Sequence, residues 1–216
     1  MTMDRLTEAL LAQYKNQFSK TRPFLIGVDG LGGSGKTTLS KQMCHKLKAA
    51  NFESFILHID DYIVHKEKRY QTGWEEWYEY YFLQWDLELL QKELFEKIHH
   101  NVRLLTLPYY DHLANTLLDE KVNVPPHAIV IIEGVFLQRK EWRRYFDFMI
   151  FLSCSHKLRS KRVLNRDTYL GDYGARLEKY EKRYWSAEDY YLQNEDPMGK
   201  ADYIYEDIDS FDHNKR

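Results

Sequence analysis

The chain has 216 residues, 44% of them hydrophobic and 30% charged, with 31 Lys and Arg against 33 Asp and Glu for a formal net charge of −2. That length buries a substantial core without disulfide or metal staples, and the balanced charge with a pI near 6.5 excludes a globally basic nucleic-acid binder. Mean hydropathy is −0.64, and no apolar run approaches the ~18–20 residues of a spanning helix, so no membrane span is expected.

In chain order, residues 1–20 predict an N-terminal helix, with Leu6, Leu10, Tyr14 and Phe18 at four-residue spacing among polar residues. No continuous apolar stretch or small-residue cleavage site accompanies it, so export is not expected and a cytoplasmic location is. Cys44 and Cys154 are the only cysteines and form no C-x-x-C pair, which agrees with a reducing compartment and inert thiols. Strands are predicted over 24–28, 54–59, 102–107, 128–132 and 146–152, with a weaker one over 202–205. Helices are predicted over 36–50, over 77–99 with a break near Asp86, over 156–166 and over 174–193. Apolar runs that alternate with longer amphipathic stretches predict an α/β fold of three layers, a mostly parallel central sheet with helices on both faces. No repeat or linker divides the chain, so one domain over 1–216 is expected. Its excursions are an aromatic-rich helical region over 62–100, a basic lid region over 155–183 and an acidic tail over 207–216.

The strongest chemical signal is Gly30-Leu31-Gly32-Gly33-Ser34-Gly35-Lys36-Thr37, which fits G-x-x-x-x-G-K-[ST] between an apolar strand and an amphipathic helix. Glycines let successive backbone N–H groups converge on an anion, and the helix turns its positive N-terminal end toward the same phosphates. Gly30, Gly32, Gly33, Ser34, Gly35, Lys36, Thr37 and Thr38 are therefore candidate nucleotide-binding residues, with ATP and Mg²⁺ as the expected cofactors. Lys36 would supply a point charge to the outer phosphates and Thr37 a hydroxyl for the metal. The chain has no N-K-x-D guanine-reading motif and no L-S-G-G-Q transporter motif, which leaves small-molecule kinases.

The predicted strand 54–59 ends in Asp60-Asp61, at the edge where open α/β sheets bind ligands. A kinase needs a carboxylate there, to accept the proton of the attacking hydroxyl or to hold Mg²⁺. Strand 128–132 likewise runs into Glu133, a candidate ligand for the metal or its water. Residues 155–183 carry nine Lys and Arg against four acids, with Arg159, Arg162 and Arg166 at helical spacing before the turn at 171–174. That is the layout of a helix-loop-helix lid, with Arg162 and Arg166 as the phosphate-contacting candidates. Between Trp74 and Trp85 seven of twelve residues are aromatic, a pattern open to helix packing or to stacking on a substrate.

These segments together resemble the uridine kinase and phosphoribulokinase group of P-loop kinases, and most of all the uridine kinase family. The resemblance runs over roughly 20–207 and is carried by the P-loop, His58 to Tyr62, Pro108-Tyr109-Tyr110-Asp111, Ile132-Glu133-Gly134 and Arg162-Val163-Leu164-Asn165-Arg166-Asp167. It implies a P-loop kinase fold and ATP-dependent phosphorylation of a small molecule. It also implies that Asp60 is the base for a nucleoside 5′-hydroxyl, that Tyr110 and Asp111 lie beside the nucleoside, and that Arg166, with Arg162 as alternate, is the lid arginine. One departure touches specificity: the family histidine that helps read a pyrimidine has Asn115 at the comparable position, and His112 is out of register. Uridine or cytidine is the leading acceptor. A sugar phosphate or pantothenate-like alcohol is the alternative, and a non-catalytic ATP-binding regulator that uses the Trp74 to Trp85 surface is the reading from another class. A homo-oligomer is compatible with this size, and no heptad or symmetric patch decides the state.

Overall fold

A computed structural model describes residues 3–16 and 21–207. The expectations on Phe18 and on the tail beyond Asp207 lie outside the described residues. Among the described residues there are seven strands: β1 (Phe24–Asp29), β2 (Ser54–His58), β3 (Leu104–Asp111), β4 (Thr116–Asn123), β5 (Ile129–Gly134), β6 (Phe148–Ser153) and β7 (Tyr203–Glu206). Five of them form a parallel sheet in the order β2-β5-β1-β6-β7. β1 and β5 are buried along their whole length, as a sheet covered on both faces requires.

One face carries α1 (Met3–Asn16) and α2 (Lys36–Ala49), where Leu6, Leu10, Met43 and Leu47 pack on Ile26, Val28, Ile131 and Ile150. The opposite face is covered by the segment after β2. It comprises α3 (Lys66–Arg69), α4 (Glu76–Phe82), α5 (Leu87–Leu90), a π-helical stretch Gln91–Glu96 and α6 (Lys97–His99). The break near Asp86 is real, and Asp86 caps α5 by accepting from the Leu89 N–H at 3.0 Å. After β6 come α7 (His156–Arg166), α8 (Tyr173–Lys179), a π-helical stretch Tyr180–Trp185, α9 (Ser186–Glu195) and α10 (Pro197–Lys200). Among the described residues no helix is long and apolar enough to cross a membrane.

The strand expected over 102–107 does not join the parallel sheet. It forms β3, which pairs antiparallel with β4 from Leu104↔Asn123 to Asp111↔Thr116 as a separate hairpin. The reason is visible in its burial. Leu105, Leu107 and Tyr110 are covered while Leu104 is open, the half-buried pattern of a strand with one wet face. The apolar content was read correctly and the partner was not.

The 74–85 aromatics are divided between packing and the cleft. Tyr81 and Trp85 are buried, Trp74 is exposed and stacks on Tyr78 at 4.6 Å, and Tyr80 reaches the cleft described below. Trp85 donates its indole N–H to Ile59 O at 2.9 Å and so fixes the tight turn Ile59–Tyr62 that follows β2.

Candidate active site

The carboxyl ends of β1, β2 and β5 open into one cleft of about 1410 Å³. The P-loop forms its floor. Gly33 and Gly35 have φ of +77° and +100°, a region that L side chains rarely adopt, and a Cβ on Gly33 would come within 2.7 Å of Val163 on α7. Two glycines are thus demanded by backbone shape and close approach. Ser34 contributes main chain only, because its Oγ is buried against Gly30 without a partner. Lys36 curls over the loop and donates to Leu31 O at 3.1 Å. Thr37 and Thr38 line the cleft on the first turn of α2.

Register explains what meets Thr37. Glu133 on β5 is level with His58 on β2 and with Val28 on β1. Its Oε1 accepts from the Thr37 hydroxyl at 2.8 Å and contacts His58 Nδ1 at 2.5 Å. Burial raises the Glu133 carboxyl, but His58, Lys36 and Thr37 outweigh it and hold the group below its ordinary value. The hydrogen bond to Glu133 raises His58, against the opposing effect of burial. Glu133 is among the candidates read from the sequence, whereas His58 enters there only within the segment His58 to Tyr62 and with no role.

Of the two strand-end aspartates, Asp60 lines the cleft and Asp61 does not. Asp60 is open to the cleft yet crowded by protein on its other sides. That crowding, reinforced by Glu133 and Asp61 and opposed by Lys36, pushes its carboxyl up to about 6. Water in the open cleft relieves part of this shift, and a bound acceptor that displaces the water restores it.

The basic region divides into a part buried against the P-loop and a part that lines the cleft. Arg159 is buried, donates to Gly32 O at 3.1 Å and pairs with Glu188 on α9 at 2.8 Å. The other Glu188 oxygen accepts the Gly32 N–H at 2.6 Å. Two helices far apart in sequence therefore clamp one P-loop peptide, and that N–H of Gly32 is spent on Glu188. Neither partner was a candidate, since only folding brings them together. Glu188→Gln leaves the Arg159 cation buried and unpaired and is expected to cost about 3–5 kcal/mol in urea unfolding. Replacing Arg159 with Met in the same chain should recover part of that loss.

Arg162 lies over the loop, with Nη1 3.3 Å from Gly33 O and 2.6 Å from Asp207 Oδ2. Arg166 is mostly exposed at the end of α7 and pairs with Asp167 through bonds of 2.6 and 3.0 Å. Both line the cleft. Asp29, at the end of β1, is fully buried and accepts from the Tyr191 hydroxyl at 2.6 Å and Gln138 Nε2 at 3.0 Å, which ties α9 to the start of the loop.

The hairpin supplies the far wall, and here the candidate residues fall differently from expectation. Tyr110 lines the cleft and donates to Asn115 Oδ1 at 2.7 Å. Asp111 does not line it. Its carboxylate accepts the N–H groups of Leu113 and Ala114 at 2.8 and 3.1 Å and shapes the hairpin turn. Asn115 is also outside the lining, since its Nδ2 donates to Glu67 on α3 at 2.9 Å. The lining residues at this tip are His112 and Leu113.

The Phosphoribulokinase / Uridine kinase family matches residues 25–204. The chain belongs to this family. It is 30% identical over 149 residues to a uridine kinase of Latilactobacillus sakei, an alignment covering 68% of each chain. A solved structure described as a possible uridine kinase from Bacillus stearothermophilus superposes with a TM-score of 0.74 at 38% identity, covering 93% of this chain and 99% of that one. D-glycerate 3-kinase from Cryptococcus neoformans shares the fold, with a TM-score of 0.67 at 15% identity over 94% of each chain. The protein is therefore a P-loop kinase, a nucleotide-binding phosphotransferase that takes ATP as phosphate donor and a small molecule as acceptor.

Proposed function

We propose that this kinase transfers the γ-phosphoryl group of ATP to a hydroxyl of a small-molecule alcohol held between Asp60 and the β3–β4 hairpin. The observation that carries the reading is the place of Asp60, which lines the same cleft as the P-loop, Lys36 and Glu133 at the carboxyl edge of the sheet. A base poised near 6 is largely ionised at pH 7 and still has affinity for a proton. The acceptor oxygen forms its bond to the γ-phosphorus as the bond from that phosphorus to the bridging oxygen of ADP breaks, and the hydroxyl proton passes to Asp60. The P-loop amides and Lys36 hold the phosphates, while Arg162 and Arg166 approach from α7 to neutralise charge on the transferred group.

The donor set fits Mg²⁺: the Thr37 hydroxyl and the Glu133 carboxylate are hard oxygen donors 2.8 Å apart beside the loop, and Asp60 opens on the same cleft. Held there by Thr37 and Glu133, the ion would supply positive charge to the phosphates. Glu133 would orient it directly or through water, with His58 holding the carboxylate in place.

For the acceptor, the names of the uridine kinase relatives support a nucleoside such as uridine or cytidine. A second reading, a non-nucleoside alcohol, is supported by the hairpin tip, where Asn115 is tied to α3 instead of lining the cleft. An ADP-release screen over nucleosides, sugars and vitamin precursors tests the whole reading. Acceptor-dependent ADP release with a phosphorylated product is expected. Tight ATP binding without product from any alcohol would favour the regulatory alternative.

A further inference from the structure

Each guanidinium that lines the cleft can be asked what neutralises it. Arg162 is paired with Asp207 and Arg166 with Asp167. Arg69, the third, is only 6% exposed, and among the described residues it forms no ion pair and a single hydrogen bond, from Nε to Val64 O at 3.0 Å. Its guanidinium carbon lies 5.0 Å from the Tyr70 ring centre and 4.9 Å from that of Tyr110. These rings favour a cation at that point. Among the described residues Nη1 and Nη2 have no hydrogen-bond partner, and the residue lines the cleft.

A charge this covered is normally paired, because burial without a counter-charge is costly. A guanidinium fork presents two parallel donors that match a carboxylate or a phosphate. The position is also held from outside. Asn115 accepts from the Lys66 N–H at 3.4 Å and donates to Glu67, so the hairpin tip fixes the short helix that ends in Arg69, while Tyr110 packs on the guanidinium itself. Asn115 and Tyr110 thus position Arg69, and of the two only Tyr110 also lines the cleft.

We infer that Arg69 is an anion-binding residue of the acceptor site, and that the acceptor is an alcohol carrying a phosphate or carboxylate group. The inference rests on the phosphotransferase reading and selects between its two acceptor classes. Arg69 binds the anionic end of the acceptor and so sets which hydroxyl reaches Asp60. It takes no part in the transfer.

Matched acceptors test it: ribose against ribose 5-phosphate, glycerol against glycerate, and uridine as the neutral nucleoside. In the wild-type protein the anionic member of at least one pair is expected to have a kcat/KM about tenfold or more above its neutral partner, the scale set by a site that binds a group its competitor lacks. Which pair responds separates phosphate from carboxylate. Arg69→Gln should raise the KM for that acceptor about 10- to 100-fold with little change in the KM for ATP, and Arg69→Lys should fall between, retaining charge without the fork. A neutral acceptor preferred by the wild-type protein overturns the inference and leaves the kinase reading intact. If no compound is turned over, the kinase reading fails for this panel, and thermal protection with a non-hydrolysable ATP analogue decides for Arg69. Protection by ribose 5-phosphate or glycerate that Arg69→Gln removes supports the anion site, and no Arg69-dependent protection overturns it.

Discussion

Asp60→Asn is expected to lower kcat by about 10²–10⁴-fold, the range supplied by a positioned general base. Asparagine keeps the size of the side chain and its hydrogen-bonding oxygen but cannot take the proton of the attacking hydroxyl. The pH profile makes the assignment specific. With the carboxyl raised to about 6 when the acceptor displaces water, the wild-type kcat should fall as pH drops through that value, because the base becomes protonated, and the residual activity of Asp60→Asn should lack this acidic limb. The sign of the stability change is opposite to that of activity. A carboxyl whose pKa is higher in the folded protein than in the unfolded chain binds its proton more tightly when folded, so stability is lost as pH rises from the unfolded value toward the folded one. Asparagine removes this loss, and the variant should melt at or above the wild-type temperature at pH 7.5. Near wild-type turnover in Asp60→Asn would overturn its role as base.

Lys36→Ala should be as damaging by a different route. Loss of the point charge on the outer phosphates is expected to lower kcat by about 10²–10³-fold or more, since phosphoryl transfer depends on positioning and charge neutralisation. Lys36 is also the shared cation of the cleft, and its field lowers the pKa values of Asp29, Asp60, Glu133 and Glu188 together. Its removal disfavours the ionised form of each. The acidic limb of the residual activity should therefore move to higher pH, whereas a lysine that touched only ATP would leave it in place. Rate against pH under saturating ATP distinguishes the two.

The parts of the site legible in the sequence are those built from contiguous residues. The P-loop is strand, loop and helix within 24–49, its glycines are required by local backbone shape, and its lysine and threonine follow directly. Asp60 and Glu133 were legible for a related reason: each ends an apolar run, and a parallel sheet delivers the ends of its strands to one edge. Helix α7 was read to its ends because Ser155 caps it and its apolar residues recur at helical spacing.

What failed depends on contacts across the chain. The hairpin β3–β4 and a sheet strand share the same local alternation, and only the choice of partner separates them. Asp111 and Asn115 were expected at the substrate because the family resemblance implies a Tyr-Asp pair beside a nucleoside and a pyrimidine-reading position at Asn115. In the fold their polar atoms are taken up by the hairpin turn and by α3. Arg159, Glu188 and His58 were passed over for the converse reason, since a charged or titratable residue reads as surface until its partner is known.

The opening balance of 31 basic and 33 acidic residues shows the same division. By itself the sequence determined that this is an α/β nucleotide-binding kinase, because hydrophobic period and glycine placement are local properties that act at short range along the chain. The tertiary structure decided which charges are neutralised. Pairing of ions depends on distances between segments separated along the chain, as in Arg159 with Glu188 or Arg162 with Asp207. Among the described residues it left Arg69 in the cleft without a carboxylate partner, a feature no composition or spacing records because it is defined by what fails to come near.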